Sequence, residues 1–150
     1  LWGYGAAGGV TATKSLHSDV SCVECHMVGG DHSTKIAVPT EAATGAQDSC
    51  TKCHSDSTPE SRKAYLDAWQ RTTASMIEAA NKDVAVIEQA IAANPNLLNE
   101  EQALLFNTAK ANLTYVQEDR SQGAHNFEYA VKVLNSVSTQ LKQVRQAIGR

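Results

Sequence analysis

Aromatic residues make up only 5% of this 150-residue chain, and it holds only two methionines and three prolines. So few large side chains are a thin basis for a conventional core, unless a cofactor supplies flat apolar surface. Charge of one sign is equally scarce. Thirteen basic and 16 acidic residues give a formal net charge of −3, which excludes the basic footprint of a nucleic-acid-binding protein. No apolar run approaches the length of a membrane span. The opening Leu1-Trp2 and the glycine-rich run behind it carry no initiator Met and no signal peptide. Residue 1 is therefore expected to be a processed or truncated end, and the chain to be open to being a piece of something longer. The length fits one domain able to bury a respectable core.

What is present sits in two short runs that hold all four cysteines. Cys22-Val23-Glu24-Cys25-His26 and Cys50-Thr51-Lys52-Cys53-His54 are both C-x-x-C-H, the attachment signature of c-type haem. The spacing follows from chemistry. Two thiols three positions apart reach the two vinyl groups on one porphyrin edge, and the following His is carried under the ring as proximal iron ligand. Two covalent haems are expected, at Cys22/Cys25 with His26 and at Cys50/Cys53 with His54. Two C-x-x-C pairs also suit a four-thiolate zinc ribbon, but a ribbon has no use for a His after both pairs. Disulfides are the other alternative in an exported chain. A thioredoxin-like motif fails because no strand–helix alternation surrounds either pair.

The glycine-rich residues 1–15 predict irregular chain, with Trp2 and Tyr4 packing on a haem or a neighbour. Residues 20–57 show no long apolar period and contain Gly29-Gly30, Pro39 and Gly45. They predict loops and short helical turns wrapped around the cofactors. Thr58-Pro59-Glu60 then reads as a helix start. Trp69, Thr73, Met76, Ala80, Val84, Ile87 and Ile91 follow at helical spacing, and Asn94-Pro95-Asn96 ends the run. Asn99 and Gln102 form a capping-box pattern before a second stripe of Leu105, Ala109, Leu113 and Val116. After Gly123, a third stripe of Phe127, Ala130, Leu134, Val137, Leu141, Val144 and Ile148 keeps an unbroken three-four period. The expected fold is mainly α: an irregular haem-wrapping segment over 1–57, then long antiparallel helices over 58–150, together one domain. The helical stripes predict helix–helix core, and the last one is also a candidate subunit interface.

Histidine arithmetic sharpens the reading. Of five histidines, His26 and His54 are proximal, leaving His17, His32 and His125 for distal positions. Met27 directly follows His26 and cannot reach the opposite face, while Met76 lies on a helical stripe. Bis-His ligation suits a low-potential electron carrier. Two haems need two distal ligands, so one of three imidazoles is surplus. Asp31 precedes His32 and could orient it.

The order of His17, first C-x-x-C-H with Met27, Asp31-His32, second C-x-x-C-H, long helices and Gly123-Ala124-His125-Asn126 resembles the C-terminal part of the pentahaem ammonia-forming cytochrome c nitrite reductases and related multihaem cytochromes. It covers nearly the whole chain from His17 onward. The resemblance implies that His125 ligates the haem on Cys22/Cys25 and His17 the haem on Cys50/Cys53. It implies that His32 binds the iron of a third haem outside both motifs. It further implies that the long C-terminal helices build a dimer contact.

The chain also departs from that family. It has no C-x-x-C-K motif for an active haem, no His within residues 1–16, and no counterpart of the calcium-site residues or the catalytic Arg and Tyr. No catalytic residue is therefore assigned. Two functions compete: an electron-transfer module of two sealed haems, or the wiring part of a larger reductase of nitrite, hydroxylamine or a sulfur oxyanion; a small enzyme is a weaker third, requiring one haem here to be five-coordinate. Either one implies a periplasmic or extracellular location, and a redox partner protein, another multihaem subunit or a second copy as partner.

Overall fold

The computed structural model describes residues 3–30, 32, 35–40 and 47–149. Four α-helices follow in order: α1 over Cys22–His26, α2 over Pro59–Ala93, α3 over Glu100–Glu118 and α4 over Phe127–Ala147. A 3-10 turn over Val28–Gly30 follows α1. No strand occurs among the described residues. Two structural units divide the chain: Leu16–Trp69, and Gln70–Arg150 together with Leu1–Ser15. The division falls inside α2, whose first turns belong with the cysteine motifs.

Each helix boundary has a local cause. Thr58 Oγ1 accepts from the Ser61 amide at 3.2 Å, and Pro59 has no amide hydrogen to leave unsatisfied in the first turn. Asn99 and Gln102 exchange bonds of 2.9 and 3.0 Å, closing the capping box that opens α3. Asn126 accepts from the Tyr129 amide at 3.1 Å and opens α4. Between α3 and α4 the chain turns through Gly123 at φ +89°, where a Cβ would stand 2.5 Å from Thr73 Oγ1. Only glycine fits there.

From Gln70 onward, α2 runs antiparallel to α3: Glu88 pairs with Lys110 at 2.5 Å, while Asn81 accepts from Gln117 at 3.3 Å. α4 returns parallel to α2, with Asp83 bonded to Arg145 at 2.5 Å. The core lies between the three. Ile87 of α2, Phe106, Ala109, Leu113 and Val116 of α3, and Val133, Leu134, Val137, Leu141 and Val144 of α4 are all buried. Burying one such aliphatic side chain contributes about 1.5–3 kcal/mol, so these stripes carry the bundle. The α4 stripe is thereby used within the chain. A second copy meeting this region would have to meet other faces of the helices.

The irregular start is not loose. Thr13 donates its amide to the Gly3 carbonyl at 2.9 Å, closing residues 3–13 into an Ω-like loop against α3 and α4. Buried Asn112 pairs with both backbone groups of Ala7 at 2.7 and 3.0 Å, and Tyr129 Oη accepts from the Ala6 amide at 3.0 Å. Tyr115 donates to the Tyr4 carbonyl, and the Tyr4 ring is largely exposed. Trp2 lies outside the described residues.

Candidate haem-binding site

Both cysteine motifs form single helical turns, and that explains how one stretch of sequence can aim three groups at one ring. In α1 the three-residue step from Cys22 to Cys25 and the four-residue step to His26 put all three on neighbouring positions of one turn. The second motif closes the same way, with the His54 amide donating to the Cys50 carbonyl at 3.0 Å. None of the four cysteines is in a disulfide. Among the described residues, no three His, Cys, Asp or Glu side chains converge as a metal site, so the zinc-ribbon arrangement is not formed. Burial pushes the Cys25 and Cys50 thiols above their ordinary pKa. That is the reverse of the depressed pKa of a reactive, redox-active C-x-x-C.

In the Leu16–Trp69 unit the two motifs are tied together. Ser49 donates through Oγ to the Cys25 carbonyl at 2.6 Å and accepts from the Ala37 amide at 2.8 Å. Glu24 and Lys52, each at the third position of its motif, form an ion pair of 3.1 Å. Exposed pairs of this kind contribute about 0–1 kcal/mol. The Ser49 bridge is the firmer link.

The same unit brings His17 opposite His54. Their ring centroids lie 6.0 Å apart, with ring planes 87° to each other. A metal–imidazole bond is about 2 Å and the centroid lies roughly one ångström further back, so two trans imidazoles on one iron place centroids roughly 6 Å apart. Any angle between the planes is admissible, since both contain the iron–nitrogen axis. The 6.0 Å spacing is compatible with two imidazoles sharing one iron, as it is with an edge-on contact between the rings. His26 is half-buried in this unit and His32 is exposed; Asp31, its expected orienting partner, lies outside the described residues.

His125 belongs to the other unit. Its Nδ1 lies 2.8 Å from Asp119 Oδ1, which leaves Nε2 as the nitrogen able to ligate a metal. Hydrogen bonding to Asp119 holds the imidazole pKa above its ordinary value against the effect of burial. Burial would raise the Asp119 carboxyl, but bonds from His125 and Ser121 outweigh it and hold it low. A cavity of about 330 Å³ opens beside His125, lined by Gly3, Tyr115, Val116, Asn126 and Tyr129 among others.

Residues 11–150 match the cytochrome c552 family. The chain belongs to the cytochrome c552 family. It is a multihaem c-type cytochrome related to the nitrite reductases, and covalent haem c is its cofactor. Among solved structures it is similar to one described as "Crystal Structure of Outer Cell Wall Cytochrome OcwA", with a TM-score of 0.75 and 26% identity. That likeness covers 89% of this chain but 27% of the other, so this cytochrome spans about a quarter of its length. No curated protein matches.

Several residues that shape the cytochrome's site carry no signature in sequence. Asp119 orients His125 from six positions upstream across a turn, where no motif announces it. Asp48 caps the second motif: Oδ1 accepts from the Cys50 and Thr51 amides at 2.8 and 3.0 Å, and Oδ2 accepts from Thr51 Oγ1 at 2.8 Å. Arg62, at the end of the first turn of α2, reaches Asp48 Oδ2 at 2.6 Å with both side chains less than a tenth exposed. Asp48 was findable as an Asx cap before a turn. Arg62 was not, because only the fold brings it back to the motif.

Proposed function

We propose that this cytochrome carries two covalent c haems with bis-His axial ligation and relays single electrons between redox partners. Cys22 and Cys25 hold one haem with His26 below its iron, and Cys50 and Cys53 hold the other with His54. His17 is the distal ligand opposite His54, and His125, oriented by Asp119, is the distal ligand for the first haem. The observation that supports the reading is the pairing of the His17 and His54 rings in one unit at 6.0 Å, a spacing compatible with two imidazoles on one iron. When bound, haem supplies the one-electron ferric/ferrous couple. The chain's residues hold each iron saturated and keep substrates off it.

Thioether attachment of haem supports a location outside the cytoplasm, which we read as periplasmic or extracellular; the similar OcwA is named for the outer cell wall. Its partner is a redox protein, a further multihaem subunit or a second copy. A second reading is favoured by the coverage of 27% of the OcwA chain and by exposed His32. In it this chain is the C-terminal wiring part of a larger reductase of nitrite, hydroxylamine or a sulfur oxyanion, whose catalytic haem lies elsewhere. His32 then binds a third haem outside the two motifs.

Pyridine-haemochrome stoichiometry with a ferric spin-state spectrum tests both. Two low-spin haems per chain is the result expected of the electron carrier. Any high-spin iron, or a third haem per chain, favours the reductase. No covalent haem would end both.

A further inference from the structure

The second motif is gripped from both sides by one guanidinium. Arg62 Nη2 donates to Asp48 Oδ2 at 2.6 Å and to Thr51 Oγ1 at 2.9 Å, on the side where the motif begins. Arg62 Nη1 donates to the His54 carbonyl at 3.1 Å and to the Ser57 carbonyl, on the side where it ends. Guanidinium and carboxylate are 8% and 4% exposed. Among the described residues the first motif is held differently, by the Ser49 bond to the Cys25 carbonyl, the exposed Ser21–Glu24 capping box and the Glu24–Lys52 pair.

Stability alone is a poor account of this arrangement. Desolvating two charges costs nearly as much as their attraction returns, and an apolar pair of similar volume often does as well. Arg62 Nε is also buried with no acceptor among the described residues, a further cost. What an ion pair offers and an apolar pair does not is geometry: a planar fork whose two nitrogens point in fixed directions. Here those directions lead to the carbonyl of His54 and to the cap of Cys50, with the fork mounted on the first turn of α2.

We propose that Arg62, anchored by Asp48, is a positioning residue for the His54 haem, holding the backbone that carries the axial imidazole and so setting that haem's potential apart from its neighbour's. This rests on the reading of His54 as an iron ligand. Hydrogen bonds behind a ligand fix its orientation and tune the metal. Lysine cannot replace the fork, because one ammonium does not span both ends of the motif.

The test uses the full haem-loaded chain with Arg62→Gln, Arg62→Lys and Asp48→Asn. Spectroelectrochemistry resolves the two potentials, and low-temperature EPR resolves the two low-spin ferric signals. In R62Q the His54 haem should change its oxidised-to-reduced ratio about tenfold at fixed potential, about 59 mV for one electron. Its EPR signal should move as well, while the His26 haem keeps both values. R62K should not restore the wild-type potential. A lower denaturation midpoint with both potentials and both signals unmoved overturns the proposal and leaves a structural ion pair; so does full rescue by R62K. If R62Q does not mature, D48N, which keeps the side-chain shape, carries the same comparison. Mass spectrometry of the wild-type peptide spanning Cys50–His54 separates the two levels of the argument. Haem absent there removes the two-haem reading itself, whereas haem present with an unmoved potential in the variants removes only the role of Arg62.

Discussion

Acid should loosen the second motif in a window set by Asp48. Burial would raise this carboxyl, but the bonds from Arg62, Thr51 and the Cys50 amide outweigh it and hold its pKa at about 2 instead of 3.8. A group depressed on folding contributes stability that is fully present above its unfolded pKa and is lost as pH falls through the folded one. The window therefore runs from about pH 4 down to about pH 2. At about 1.4 kcal/mol per pH unit the drop is worth up to roughly 2.5 kcal/mol. Asp48→Asn removes this contribution. Near neutral pH the variant should be less stable by roughly that amount, and the gap to wild type should narrow as pH falls below about 4. Denaturant unfolding followed at the Soret band, at pH 7, 4 and 2.5, measures it. Comparing the two proteins at each pH cancels the acid detachment of axial histidines, which both share. A gap that stays constant down to pH 2.5, or widens, would refute the assignment of the stability to the Asp48 charge.

Three further outcomes follow from the bundle. Asp119→Ala should weaken the hold of His125 on iron by about 10–100-fold, the usual cost of losing a ligand's orienting partner, seen as a high-spin fraction in the ferric spectrum. Leu141→Ala empties a fully buried position on α4 and should cost about 2–5 kcal/mol in thermal or denaturant unfolding. Asn112→Ala leaves both backbone groups of Ala7 unmatched. It should cost about 1–3 kcal/mol and speed amide exchange in residues 3–13.

The helices were legible because their determinants are local and periodic. The Thr58-Pro59 start, the Asn99–Gln102 box and the α4 stripe each need only a few neighbouring residues, and each appears where the pattern put it. Two expectations needed more than periodicity. The three-four repeat of 127–148 is equally good for a core and for a subunit contact, and only the burial of Val137, Leu141 and Val144 against α2 and α3 decides that it is core. The glycine-rich start reads as irregular in sequence, yet it is a fixed loop, because its partners Asn112 and Tyr129 lie more than a hundred residues away. Periodicity says nothing about a polar residue planted on an apolar stripe.

The haem motifs show the same split between local and distant causes. Covalent attachment together with proximal ligation calls for two thiols and an imidazole within five positions, so the chemistry is written contiguously and can be read without a fold. Distal ligation has no such constraint: an imidazole need only arrive opposite the iron, from any point in the chain. What suggests His17 for that role is its ring standing 6.0 Å from that of His54, not its own neighbours in sequence. His125 is proposed for the same role because the Asp119 bond at Nδ1 leaves Nε2 for a metal. Arg62 lies one step further out, since it touches neither ring nor iron and acts on a carbonyl. The more indirectly a residue serves the metal, the fewer limits spacing places on it and the more its role must be read from three-dimensional contacts. Residues such as Arg62 and Asp119 are therefore where two chains with identical C-x-x-C-H runs can differ in potential.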